Sequence, residues 1–287
     1  MTADIIKNMG ASVRQRLLNH AKASGRPFAE VLQYYAMERF LYRLSVSPHV
    51  EIFTLKGALL LTAWQAPISR PTMDIDLLGR TDNAVDKTVA LLREISQLAV
   101  SDDGITFDPA SFAGEAIRED ADYAGVRTAF IGRVDNARVH MQIDIGFGDV
   151  MTPGPETVTY PTILDFPAPT LMGYSRETVV AEKLQALVQL RMLNTRMKDY
   201  FDLWLLTRQP ELNPKVLRTA IQRTFANRGM EIDTDPIGLS PAFGEDPKKQ
   251  IQWGAFLKRA RLSEAPRHLS EVVENLRQFF ATILSEL

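Results

Sequence analysis

The sequence predicts an α+β protein: a mixed sheet with helices, joined to a helical region. Three observations carry this. Between residues 50 and 165, short apolar stretches alternate with period two and are separated by turn residues. On either side of that span, apolar residues recur at helical spacing. Between the strand-rich and the C-terminal helical parts, residues 150–170 hold five prolines (Pro153, Pro155, Pro161, Pro167, Pro169), which suits a connecting segment. The expected division is residues 1–165 for N-terminal helices and core, and 166–287 for the C-terminal helical region.

Residues 10–45 read as two helices broken at Ser24-Gly25-Arg26-Pro27, the second carrying Phe28, Val31, Leu32, Tyr35, Phe40 and Leu41 at helical spacing. A strand near 51–55 leads to a helix near 57–65 and then to the strand of Asp74 and Asp76. A helix near 82–98 opens at Thr81-Asp82. Antiparallel strands are expected near 104–108, 126–133 and 137–146, with Val134-Asp135-Asn136-Ala137 as a hairpin connection. From Ser175 onward the pattern is helical, over about 176–194 and 197–208. Two further helices start at Asn213-Pro214 and Asp246-Pro247, each an N-cap followed by proline at the first helical position. A fifth covers about 269–286, and 229–245 reads as an irregular loop.

The chain has 287 residues, enough for one large domain or two ordinary ones. No apolar run approaches the roughly 18–20 residues of a membrane helix. The opening Met1-Thr2-Ala3-Asp4 carries no signal-peptide pattern, so a cytoplasmic protein with no membrane partner is expected. The absence of cysteine excludes disulfides, thiolate zinc sites and cysteine nucleophiles. Four scattered histidines argue against a histidine-based metal site. A net charge of −2 argues against wholesale coating of nucleic acid but leaves room for a local basic surface.

The richest stretch is Arg70-Pro71-Thr72-Met73-Asp74-Ile75-Asp76-Leu77-Leu78. A strand has a side-chain period of two, so both carboxylates leave one face while Ile75 and Leu77 enter a core. Adjacent carboxylates repel and call for a cation. Hard oxygen ligands suit Mg²⁺, or Mn²⁺ in its place, with substrate phosphates completing the shell. Just upstream, Leu55-Lys56-Gly57-Ala58 takes a strand through a glycine towards a helix, a natural place for backbone N–H groups to meet phosphate. Together these suggest nucleotidyl transfer from an NTP.

Asp144 shares a face with Gln142 and His140. If its strand lies beside that of Asp76, three carboxylates converge, and Asp144 completes a metal site or accepts a proton. The plainer alternative is a polar residue on a solvated strand face. Lys183 sits mid-stripe on its helix, flanked by Val179, Val180, Ala186, Leu187 and Leu190, and needs an anion there. A triphosphate or one of the aspartates would supply it. Otherwise the amine snorkels out. Asp199 and Asp202, one turn apart in an aromatic, leucine-rich helix, are expected to pair. Asp199 is also placed to favour its helix N-terminus. The role of Asp202 is left open.

The combination Leu55-Lys56-Gly57, Arg70-x-Thr72-x-Asp74-x-Asp76, Ala181-Glu182-Lys183-Leu184-x-Ala186-Leu187 and Arg196-x-Lys198-Asp199-x-x-Asp202-Leu203 resembles the AbiEii-type nucleotidyltransferase toxins of type IV toxin–antitoxin systems, which include the mycobacterial MenT group. The resemblance covers roughly residues 35–210. It implies a polymerase-β-like nucleotidyltransferase core with a flanking helical bundle, a metal-bound NTP, and NMP transfer, in some members to the tRNA 3′ end. It implies metal at Asp74 and Asp76, a triphosphate contact from Lys183, and Asp199 completing the active site. Lys56 and Gly57 would lie under the phosphates and Thr72 at the site edge. A cognate antitoxin protein, or its kinase-type equivalent, is the implied partner. Ala58 departs from the glycine or serine often found there, so no hydroxyl meets phosphate at that position. A protein or small-molecule acceptor is the first alternative, and a non-catalytic binding module the second. Arg14, Arg16, Lys22 and Arg26, or Lys248, Lys249, Lys258, Arg259 and Arg261, are the candidate RNA contacts, with solvated helix faces the plainer reading.

Overall fold

The computed structural model describes residues 8–66, 70–119 and 123–287. The chain forms two compact units. The first runs up to Gln65 and takes in Pro71–Gly148 and Thr157–Gly173; the second holds Ala66–Arg70, Asp149–Glu156 and Tyr174–Leu287. The architecture is mixed, with an eight-stranded sheet and ten helices among the described residues.

In the first unit, α1 (Met9–Ser24) is capped by Asn8, whose side chain accepts from the Ala11 N–H at 3.0 Å. It ends at the expected break, with Gly25 left-handed at φ 69°. Pro27 then precedes α2 (Phe28–Ser45), buried almost throughout and packed on the sheet as well as on α1 and α4. Burial on every side forces its charges to pair. Glu38 and Arg39, both fully buried, pair at 2.8 Å, and Arg43 grips Asp103 at 2.7 and 3.0 Å. Burial pushes the Glu38 carboxyl up to about 7, against the pull of Arg39 and the Ile163 N–H.

The strands are β1 (Phe53–Lys56), β2 (Ile75–Gly79), β3 (Ile105–Phe107), β4 (Ala113–Glu119), β5 (Tyr123–Val134), β6 (Ala137–Phe147), β7 (Glu156–Thr159) and β8 (Thr170–Gly173), in spatial order β3-β5-β6-β2-β1-β8-β7, with β4 beside β5. The β5–β6 hairpin turns at Asp135-Asn136, as expected, with Asp135 at φ 54°. Helix α3 (Leu59–Ala63) follows β1, and α4 (Val85–Ser96) follows β2.

Three expectations are corrected. β4 was not anticipated: Ala113-Gly114-Glu115-Ala116 has little strand propensity. The 150–170 stretch is more than a connection, because it contains β7 and the start of β8, their prolines lying just outside the strands. The helix expected over 57–65 is only the five residues of α3.

The second unit is helical: α5 (Arg176–Leu190), α6 (Met197–Leu206), α7 (Pro214–Asn227), α8 (Pro241–Gly244), α9 (Pro247–Ala260) and α10 (Leu269–Leu284). Asn213 and Asp246 cap α7 and α9 as their sequences predict, each accepting two backbone N–H groups. Helix α5 stops short of 194, a 3₁₀ turn over Arg191–Leu193 replacing its last turn. Among the described residues no helix is long and apolar enough to cross a membrane.

Candidate active site

Register brings the acidic residues together. β2 lies antiparallel to β1, with Lys56 opposite Asp76, and parallel to β6, with Asp76 opposite Asp144. Ile75, Leu77, Ile143 and Ile145 fill the core beneath them. Asp74, Asp76 and Asp144 each present a carboxylate oxygen within 4.8 Å of the others'. Three hard oxygen donors at that spacing fit a divalent cation.

The surrounding chain holds these groups in place. The Thr72 hydroxyl donates to Asp74 at 2.5 Å. The Thr72 N–H donates to the Tyr34 hydroxyl at 3.1 Å, and Gln33 donates to the Met73 carbonyl at 3.0 Å, so α2 pins the segment that carries Asp74. Gly57 has φ 75°, and a Cβ there would collide with the Asp76 carboxylate. Glycine is thus required by conformation and by close approach. Ala58 is buried at the start of α3, a helix of little more than one turn with a correspondingly small dipole.

Asp144 is neither solvated nor bare. Arg127 on β5 donates to both its oxygens, at 2.8 and 2.7 Å, and Gln142 adds donors at 3.2 and 3.3 Å. The sequence does not single out Arg127, Gln33 or Tyr34, and it marks Gln142 only as sharing a face with Asp144. A lone arginine beside the buried Val126 and Thr128 was a signal, but its partner depends on the β5–β6 register.

In the second unit, α5 packs on α6 and Lys183 finds its anions there. Its ammonium lies 2.7 Å from Asp199 and 2.9 Å from Asp202. Arg70 grips Asp202 at 2.8 and 2.9 Å, and Arg196 lies 2.6 Å from Asp199. Both carboxylates are 1% exposed. Burial alone would raise their pKa values. Burial is the largest single influence, but Lys183 and Arg196 together outweigh it at Asp199, and Lys183 and Arg70 together outweigh it at Asp202, which is held well below the carboxylate range. Burial would lower the Lys183 ammonium, but Asp199 and Asp202 hold it above its ordinary value.

The basic sets divide. Arg14 and Arg16 lie over the rings of Phe28 and Phe166. Lys249 is buried, donating to the Asn194 carbonyl at 2.7 Å, which corrects its placement on an RNA-facing surface. Lys248, Lys258, Arg259 and Arg261 are exposed.

The sequence profile described as "Nucleotidyl transferase AbiEii toxin, Type IV TA system" matches residues 39–280. The chain belongs to the AbiEii toxin family. An AbiEii-family protein is a nucleotidyltransferase, and a mixed sheet with attached helices agrees with such a core. Two crystal structures from Helicobacter pylori are similar. JHP933 is 16% identical with TM-score 0.49, covering 94% of this chain and 93% of its own. A provisionally named nucleotidyltransferase is 17% identical with TM-score 0.48, covering 94% and 95%. Likeness at that level carries no weight for function. No curated protein matches the chain. In this AbiEii protein the profile spans the Asp74/Asp76 pair, Asp144 and the Lys183–Asp199–Asp202 cluster alike.

Proposed function

We propose that this AbiEii-family protein transfers an NMP from an NTP to an RNA acceptor, the tRNA 3′ end, and so blocks translation. One observation supports the chemistry above all: three carboxylates from neighbouring strands converge within 4.8 Å, with Gly57 packed against one of them. Asp74, Asp76 and Asp144 would hold Mg²⁺ or Mn²⁺. A bound divalent cation neutralises phosphate charge and aligns the acceptor hydroxyl with the α-phosphorus.

The chain's own residues do the rest. The Thr72 hydroxyl fixes the rotamer of Asp74, and Gly57 leaves room for the Asp76 carboxylate. Lys56 and Gly57 are assigned to the phosphates, Lys183 to the triphosphate and Asp199 to completing the active site, as the family motifs imply. In the transfer the acceptor oxygen bonds to the α-phosphorus, the bond to the β-phosphate bridging oxygen breaks, pyrophosphate leaves, and the hydroxyl proton passes to solvent water. The exposed Lys248, Lys258, Arg259 and Arg261 are the candidate phosphate contacts for RNA. A cognate antitoxin protein or kinase-type equivalent would restrain the enzyme.

The test is incubation with each α-labelled NTP, Mg²⁺ and total tRNA. Wild-type protein should label tRNA, and Asp74→Asn should reduce labelling at least about a hundredfold. Label on protein or a small molecule, with tRNA unlabelled, would replace the acceptor assignment.

A further inference from the structure

Five charged residues lie on one line across the first unit's sheet. Glu115 on β4 faces Arg127 on β5, Arg127 faces Asp144 on β6, Asp144 faces Asp76 on β2, and Asp76 faces Lys56 on β1. Residues directly opposite one another across a strand pair share a sheet face. Charge alternates along this row except at one step, where Asp144 and Asp76 adjoin. A divalent cation would enter at that step. Its immediate neighbour in the row would be Arg127, whose fork holds both Asp144 oxygens at 2.8 and 2.7 Å. A carboxylate has lone pairs enough for both partners, but the two positive charges repel. Cation and guanidinium therefore compete for Asp144.

We propose that Arg127 is a positioning residue with two stations. It holds Asp144 while the carboxylate cluster lacks a cation, and it turns to Glu115 when a cation binds. This rests on reading Asp74, Asp76 and Asp144 as the cation site. The Arg127 side chain is 38% exposed, so it has room to move. Glu115 is exposed and directly opposite on the far side. The consequence is conditional loading. Free cation binds weakly because it must displace a bidentate guanidinium. Cation arriving with a triphosphate binds well, because the added negative charge offsets the repulsion.

The test is Mn²⁺ binding to the full-length protein without nucleotide, read from the free-ion paramagnetic resonance signal. Arg127→Met should tighten binding about tenfold, since a charged neighbour shifts a carboxylate's affinity for cations on that scale. Arg127→Lys, which keeps the charge but loses the fork, should tighten it less. Glu115→Gln should weaken binding about two- to threefold, the size of an exposed pair. Opposite signs for the two sites are what a merely structural arginine would not give. Equal or weaker binding by Arg127→Met overturns the competition, and unchanged binding by Glu115→Gln overturns the second station. Should Arg127→Met fail to fold, Arg127→Lys and Glu115→Gln carry the same signs. Absence of Mn²⁺ binding in every form also overturns the gate. Whether the cation site itself then stands is decided separately, by whether wild-type NMP transfer requires Mg²⁺.

Discussion

Replacing Lys183 with methionine should destabilise the protein as well as inactivate it. The ammonium touches Asp199 and Asp202 at 2.7 and 2.9 Å, and both carboxylates are 1% exposed. Removing one partner of a buried pair typically costs about 3–5 kcal/mol. Here Arg196 still reaches Asp199 and Arg70 still grips Asp202, so we expect about 2–3 kcal/mol. For a chain of this size that is a fall in Tm of roughly 4–12 °C. The pH dependence follows from the sign of the shifts. Asp199 and Asp202 have folded pKa values below their ordinary 3.8, so their contribution is present above that pH and is lost as pH falls through the depressed values. Without Lys183 their pKa values rise and the contribution shrinks. The gap between wild type and Lys183→Met should therefore be widest near pH 7 and should narrow below about pH 4. Thermal melts followed by circular dichroism at both pH values measure it. Adding Asp199→Asn to Lys183→Met should recover part of the loss. A gap under about 1 kcal/mol that does not vary with pH would refute the pairing as a source of stability.

Three further outcomes are expected. Gly57→Ala places a Cβ at φ 75° against the Asp76 carboxylate, so it should cost about 1–2 kcal/mol and lower NMP transfer by more than that loss of folded protein explains, as urea titration and transfer assays would show. Glu38, raised by burial to about 7, takes up a proton on folding, so its contribution to stability is present below about pH 4.5 and is lost as pH rises through about 7. Glu38→Gln should flatten that part of the wild-type stability profile, by up to about 3 kcal/mol, in denaturant titrations from pH 5 to 8. Reversing the charges of Lys258, Arg259 and Arg261 together should raise the KM for tRNA, spare kcat at saturation and reduce the salt dependence of transfer, in initial-rate assays across salt concentrations.

Much of the fold and part of the site were legible in the sequence. Asp74 and Asp76 gave their shared face directly through the period of two, and the caps at Asn213 and Asp246 named their helices. What escaped depends on pairing between distant segments. Asp144 is named by the sequence as the third carboxylate only on condition that its strand lies beside that of Asp76, because the register that puts Ile143 opposite Ile75 is encoded by no local pattern. Arg127 and Glu115 join the row only through β4 and β5, and β4 is written in alanine, glycine and glutamate. Lys183 announced its need for an anion, while the choice of Asp199 and Asp202 depended on α5 meeting α6. Lys249 read as surface charge because burial by α9's neighbours is invisible in a basic dipeptide.

The most direct measurement of the central claim, that Asp74, Asp76 and Asp144 carry nucleotidyl transfer, is sequencing of RNA 3′ ends after expressing wild-type and Asp76→Asn proteins in a bacterial host. Wild-type protein should arrest growth with extra nucleotides on tRNA 3′ ends. Asp76→Asn, melting at the wild-type temperature, should do neither. Undiminished tRNA extension by Asp76→Asn would contradict the account.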